Sequence, residues 1–257
     1  MSEHINLQQD GAVLTITINR PRQKNALTHA MYEGLREGLE TAEADSGIRA
    51  TVISGTEDCF TAGNDLGDFA RGLPGDFQET AVGRFLLTLV ECRKPVVAAP
   101  CGAAVGIGTT MLLHCDLVYC GNNVRFQLPF VNLGVCPEAA SSLLLPQWLG
   151  RARASELLLL GDPFDGNTAV RLGLANQVLP AEEALTRAHE TAQRLAQRPP
   201  AALRASKALI RDSCQAQVKA TMLREGTVFA ERLKSPEARE AFMAFAEKRE
   251  ADFSKFE

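Results

Sequence analysis

Phe60-Thr61-Ala62-Gly63-Asn64-Asp65-Leu66 and Gly102-Ala103-Ala104-Val105-Gly106-Ile107-Gly108-Thr109-Thr110 share one local pattern. Each passes from an expected strand, through Gly and small residues, toward an expected helix. The first amides of a helix have no intrahelical acceptor, so such turns leave N–H groups aimed at whatever sits before the helix. Two N–H groups converging on one point form an oxyanion hole. Taken singly, either turn reads as tight packing of a strand against a helix. Their neighbours in the chain decide between the two readings.

Outward from these turns, strands and helices alternate to about residue 180, and only helices are expected after it. Residues 5–9 and 13–18 flank Asp10-Gly11, a hairpin signal, and Pro21 ends the hairpin. Thr28 caps a helix reaching about residue 44, with Met31, Leu35 and Leu39 on one stripe. Strands are expected at 50–54, 96–99, 117–120 and 124–127, the last two joined across Gly121-Asn122-Asn123. Residues 63–75 read as a loop with at most one broken helix. Residues 85–92 and 107–113 read as helices, as do 141–149 and 153–160, divided by Gly150. Asp165 and Thr168 start a helix that Gly173 stops, and 174–179 form the last strand. The helical remainder breaks at Pro199-Pro200 and at Ser235-Pro236, where Ser235 caps and Pro236 fills the first turn. The expected architecture is α/β, with a core over 1–180. A helical region over 181–257 covers that core or a neighbouring subunit.

The bulk composition excludes several classes of function. Of 257 residues, 46% are hydrophobic and 23% charged, an ordinary globular balance. A net charge of −4 argues against a nucleic-acid surface. No apolar run approaches the roughly 20 residues of a membrane helix. Seven cysteines without regular spacing and four scattered histidines point to buried thiols and to no metal site. The opening Met1-Ser2-Glu3-His4 carries no charged-then-apolar leader, and the closing Phe253-Ser254-Lys255-Phe256-Glu257 is not a peroxisomal address. A cytoplasmic protein is expected.

Several further motifs stand in order around the two turns. Asn19-Arg20-Pro21 is followed by Lys24-Asn25-Ala26-Leu27, and later come Lys94-Pro95-Val96-Val97-Ala98 and Asp116-Leu117-Val118-Tyr119. Gly161, Ala169, Gly173-Leu174-Ala175 and Gln177-Val178 close the series. Together with the two Gly-rich turns, this order and spacing resembles the crotonase (enoyl-CoA hydratase/isomerase) superfamily over nearly the whole chain. The resemblance implies a spiral of ββα turns with a helical trimerisation region, assembled as a homotrimer or a dimer of trimers. It implies an acyl-CoA thioester whose carbonyl oxygen lies between the main-chain amides of Asn64 and Ile107. No separate cofactor is implied, because CoA arrives as part of the substrate. Lys24 and Ala26 fall where the family contacts CoA. Ala62, Gly63, Asp65, Leu66, Gly106, Gly108, Thr110 and Phe130 fall around the bound acyl group. Asp65 is also expected to bond its own loop's amides.

Removing the α-proton of a thioester puts charge on the carbonyl oxygen, and each well-aimed donor there lowers the barrier by ~3–4 kcal/mol. Side chains then decide the outcome. Hydratases of the family carry two glutamates, at places held here by Thr110 and Phe130. Neither exchanges a proton near neutral pH. The chain instead offers Val135-Cys136-Pro137-Glu138-Ala139-Ala140-Ser141-Ser142. This resembles the peroxisomal-type Δ3,Δ2-enoyl-CoA isomerases, which use the glutamate of such a Pro-Glu pair as their single base. Ala139 departs from that pattern, which more often has Gly. Glu138 taken alone reads as an acid at a helix start.

An isomerase of fatty-acid β-oxidation is therefore expected, with Glu138 as proton shuttle, its pKa raised by apolar walls, and Phe130 lining an acyl tunnel. The alternatives are another crotonase-type acyl-CoA enzyme, such as an enoyl-CoA hydratase, and a non-catalytic CoA-binding scaffold. Cys136 reads as a packed thiol and His114 as a core histidine. Asp68, Asp76 and Glu79 read as a solvated face.

Overall fold

The computed structural model describes residues 2–69 and 76–256. Residues 70–75, the end of the expected 63–75 loop, lie outside the described residues.

The chain winds as successive ββα turns. The first is β1 (Ile5–Asp10), β2 (Val13–Ile18) and α1 (His29–Ala44). The second is β3 (Ala50–Ser54), β4 (Cys59–Thr61), α2 (Leu66–Phe69) and α3 (Ala81–Glu91). The third is β5 (Val96–Ala99), β6 (Ala103–Val105) and α4 (Ile107–Thr110). The fourth is β7 (Leu117–Gly121), β8 (Arg125–Gln127), α5 (Ser141–Leu149) and α6 (Arg151–Ser155). Then come β9 (Phe164–Asp165), α7 (Gly166–Arg171) and β10 (Gln177–Leu179). Four helices finish the chain: α8 (Ala181–Ala196), α9 (Pro200–Asp212), α10 (Gln215–Arg232) and α11 (Pro236–Glu247).

Turns two to four each give one strand to each of two sheets. One sheet has the order β1-β2-β3-β5-β7-β10, the other β4-β6-β8-β9. Apart from the β1–β2 hairpin and the β8–β9 pair, the ladders are parallel. Parallel neighbours require a crossover, which the ββα spiral supplies. The hairpin forms as expected: Asp10 pairs with Val13, and Gly11 takes φ +56 in the two-residue turn.

Thr28 caps α1, its hydroxyl accepting from the Met31 amide, and Met31, Leu35 and Leu39 are fully buried. Each such side chain contributes ~1.5–3 kcal/mol of apolar burial. Ser235 caps α11 with Pro236 in the first turn, and Asp165 caps α7.

Residues 117–120 and 124–127 are strands as expected, and Gly121-Asn122-Asn123 carries the chain from one sheet to the other. Three expectations are corrected. The helix expected over 107–113 is one α turn followed by a 3-10 turn, Met111–His114. Residues 153–160 divide between α6 and a π-helical stretch, Glu156–Leu160. The helical remainder has a third break, at residues 213–214, where neither Pro nor Gly signals it. The helices after 180 lie on different parts of the core. Ala188 and Ala192 of α8 pack with Val13, Val52 and Val97 on the larger sheet, whereas α10 lies against α3 and α5.

Candidate active site

The two Gly-rich turns meet because β4 and β6 are paired, Cys59 with Ala103 and Thr61 with Ala104. Both chains leave adjacent parallel strands at the same end, ~4.8 Å apart. A methyl group at Gly108 would lie 2.7 Å from Thr61 Cγ2 and 3.0 Å from the Thr61 carbonyl oxygen. One at Gly63 would lie 3.1 Å from the Val105 carbonyl oxygen. The glycines thus let the turns approach. Among the described residues the amides of Asn64 and Ile107 have no acceptor. Their neighbours do: Asp65 N–H donates to the Leu27 carbonyl, and Thr109 and Thr110 N–H both donate to the Gly106 carbonyl.

The earlier motif holds the first turn in place. Ala62 N–H donates to the Lys24 carbonyl, and Leu27 N–H to the Gly63 carbonyl. The buried Asn25 side chain donates to the Cys59 and Phe60 carbonyls. Arg20 donates to the Ala26 carbonyl at 2.9 Å and pairs with Asp65 at 2.6 Å. Asp65 also accepts from Gly67 and Asp68 N–H at the start of α2, which Leu66 opens. The Arg20 guanidinium holds the Asp65 carboxyl below its usual pKa. Asp65 is therefore committed to its own loop. Lys24 is exposed and Ala26 half-buried.

Glu138 is buried, and the Thr110 hydroxyl donates to its Oε1 at 3.2 Å. Thr110 thus joins the second turn to the acid. Burial raises the Glu138 pKa to about 7; the Thr110 bond lowers it, and the charge of Glu225 raises it further. Asn64 and Glu138 line one cavity with Phe77, Val82, Ala139, Met222, Gly226 and Phe229. Its free space admits about one water. A larger cavity of ≈ 490 Å³, lined by Trp148, Lys207, Ile210 and Arg211 among others, contains neither Asn64 nor Glu138. Phe130 is buried in the main apolar core and does not line the cavity with Glu138. The apolar wall of this cavity comes from Phe77, Val82 and one face of α10.

Several residues in this site were not singled out from the sequence. Tyr32, on α1, donates its hydroxyl proton to Asn64 Oδ1 and so fixes that side chain. Burial, and then the charge of Glu138, raise the Tyr32 pKa well above its usual value. Glu225, on α10, accepts from the amides of Ala140 and Ser142. His114, whose pKa burial lowers to about 4, bonds the Ala139 carbonyl at 2.8 Å; as a neutral ring it is the donor. Tyr32 and Glu225 had a visible signal, since each is a polar residue on a buried helical stripe that needs a partner. Cys136 is a packed thiol, its pKa raised to about 11 by burial. Asp76 and Glu79 are exposed, and Asp68 accepts from the His29 amide at the start of α1.

A spiral of ββα turns, two strand-end turns with free amides and a buried acid beside them define an acyl-CoA enzyme fold of the crotonase type. The chain belongs to the enoyl-CoA hydratase/isomerase family, whose pattern it matches over residues 8–255. It is 35% identical to rat "Enoyl-CoA delta isomerase 2" over 95% of its length, and spans 63% of that protein. It is 34% identical to the "2,3-dehydroadipyl-CoA hydratase" of Escherichia coli K12, covering 98% of this chain and 99% of that one. Among solved structures, Pseudomonas aeruginosa OdaA is 45% identical, with a TM-score of 0.92, covering 95% of this chain and 99% of that one. Similarity thus extends to both isomerases and hydratases. Among the described residues no helix is long and apolar enough to cross a membrane.

Proposed function

We propose that the protein moves the double bond of a 3-enoyl-CoA to the 2-position, giving the 2-trans-enoyl thioester. The observation that carries this reading is Glu138: a buried carboxyl with a pKa of about 7, lining one cavity with Asn64. Such a group is ionised in a useful fraction of molecules at neutral pH, and its acid form is strong enough to give the proton back.

Glu138 takes the proton from C2. The electron pair moves onto the thioester, forming a dienolate whose oxygen is held by the amides of Asn64 and Ile107. The same carboxylic acid delivers the proton to C4. Nothing is added or lost, so one acid–base group completes the cycle, with no metal or separate cofactor. The apolar wall of Phe77, Val82, Met222 and Phe229 limits water near the dienolate.

Hydration is less well supported. It needs a second group to activate water, and positions 110 and 130 hold Thr and Phe. Glu225 is a buried acid but does not line the cavity, and its oxygens already accept three bonds. Purified protein, given short, medium and long 3-enoyl-CoA, should generate the absorbance of the conjugated thioester. CoA binding without turnover on any of them would instead support the scaffold reading. We further propose that the helices after residue 180 mediate assembly into trimers.

A further inference from the structure

We infer that Glu225 is a positioning residue: from α10 it clamps the loop that carries Glu138, and so sets where the proposed base stands. This rests on the isomerase reading for its role in turnover, and on geometry alone for the clamp.

The loop needs a clamp. Ala139 and Ala140 follow the acid directly, and both have φ +57, a left-handed conformation unfavourable for alanine. Two such residues in succession persist only when their surroundings enforce them. The enforcement comes from two sides. His114 donates to the Ala139 carbonyl at 2.8 Å. Glu225 accepts from Ala140 N–H at 2.6 Å, from Ser142 N–H at 3.0 Å and from the Ser142 hydroxyl at 2.5 Å. All three groups donate, so the acceptor they fit is an ionised carboxylate. It also lies at the start of α5, where a negative charge is favoured.

Glu225 shares a helix face with the cavity wall. Met222, Glu225, Gly226 and Phe229 recur at helical spacing, and all are buried. Gly226 leaves room for Phe77, since a methyl group there would come within 2.4 Å of the ring. One face of α10 therefore closes the cavity and anchors the base's loop. The groups facing Glu138 are Thr110 from α4, Tyr32 from α1 and Glu225 from α10; Arg224 lies near Glu225, and His114 is neutral. Of these described groups only Glu225 brings a negative charge, and that charge helps to hold the Glu138 pKa up.

The test is Glu225→Gln, with Ser142→Ala as a milder variant that removes one of the three bonds. In Glu225→Gln, kcat should fall by ~10–100-fold with KM changed by less than about 2-fold. The acid limb of the kcat profile should move to lower pH, which loss of stability alone would not cause. Adding Ala140→Gly, which accepts φ +57 without strain, should restore more activity to Glu225→Gln than it adds to the parent chain. Independently of turnover, hydrogen exchange at the Ala140 and Ser142 amides should quicken by ~10-fold or more. Unchanged exchange at both amides would overturn the clamp, even if the protein proves not to be an isomerase. Faster exchange with unchanged kcat and pH limb, in a protein that does isomerise, would overturn the positioning role. Should Glu225→Gln fail to fold, the same readouts on Ser142→Ala decide, with smaller changes of the same sign expected.

Discussion

Glu138→Gln should make the protein more stable while making it a poor catalyst, and the gain should depend on pH. Burial raises the Glu138 pKa from 4.5 to about 7. Between those values the folded protein holds a proton that the unfolded chain has released, so stability falls as pH rises through this window. Below pH 4.5 the carboxyl is neutral in both states and costs nothing. Above pH 7 it is ionised in both, and the folded state carries the full cost of a buried charge. Going from 4.5 to about 7 corresponds to about 3 kcal/mol. Glutamine keeps the size of the side chain and an oxygen for the Thr110 hydroxyl, but never ionises. The variant should therefore exceed the parent by up to about 3 kcal/mol near pH 8.5 and match it near pH 4. Urea titrations of both proteins at intervals across that range would measure the difference. The same variant should lose ~10²–10⁴-fold in kcat, the usual reach of a positioned acid–base group. A stability difference that stays flat with pH would refute the claim that burial sets this pKa. Near-normal turnover would remove Glu138 from the mechanism.

Hydration of crotonyl-CoA by the unmodified protein should run at least ~10²-fold slower than isomerisation, a gap of roughly 2.7 kcal/mol in barrier; equal rates would move the protein to the hydratases. Ala139→Gly should stabilise the fold by about 1 kcal/mol, since Gly takes φ +57 without strain, and a lowered urea midpoint would contradict that. Gly108→Ala should push the two turns apart, because its methyl would meet Thr61 at 2.7–3.0 Å. We expect kcat to drop by ~10-fold or more with CoA affinity kept, and unchanged kcat would show that the spacing of the two amides is not critical.

Local pattern in the sequence carried a large part of the fold. The Asp10-Gly11 turn, the Thr28 cap and the Ser235-Pro236 start all depend on neighbours within a few residues, and each appears where the pattern put it. Order and spacing of the motifs carried the family, because a spiral of repeated turns leaves a regular trace along the chain. Elements without a local signal did not show. The break at 213–214 has no Pro or Gly, and the one-turn α4 reads the same as a longer buried helix. The strands flanking Gly121 show in the sequence, but their partners do not: pairing is settled by which neighbouring turn of the spiral each one meets.

For the candidate site, the sequence singled out Glu138, Asn64 and the glycines of both turns, since strand-turn-helix segments and a Pro-Glu pair are local features. Tertiary structure decided what surrounds them. Tyr32 reaches Asn64 across 32 residues, and Glu225 reaches Ala140 across 85. Such contacts depend on how α1 and α10 pack, and no local spacing encodes them. The same packing sends Phe130 into the main core and gives the cavity wall to Phe77, Met222 and Phe229. A glutamate in this sequence could titrate like any other. Only burial by residues distant in the chain, with a second carboxylate held close by, places Glu138 near neutrality.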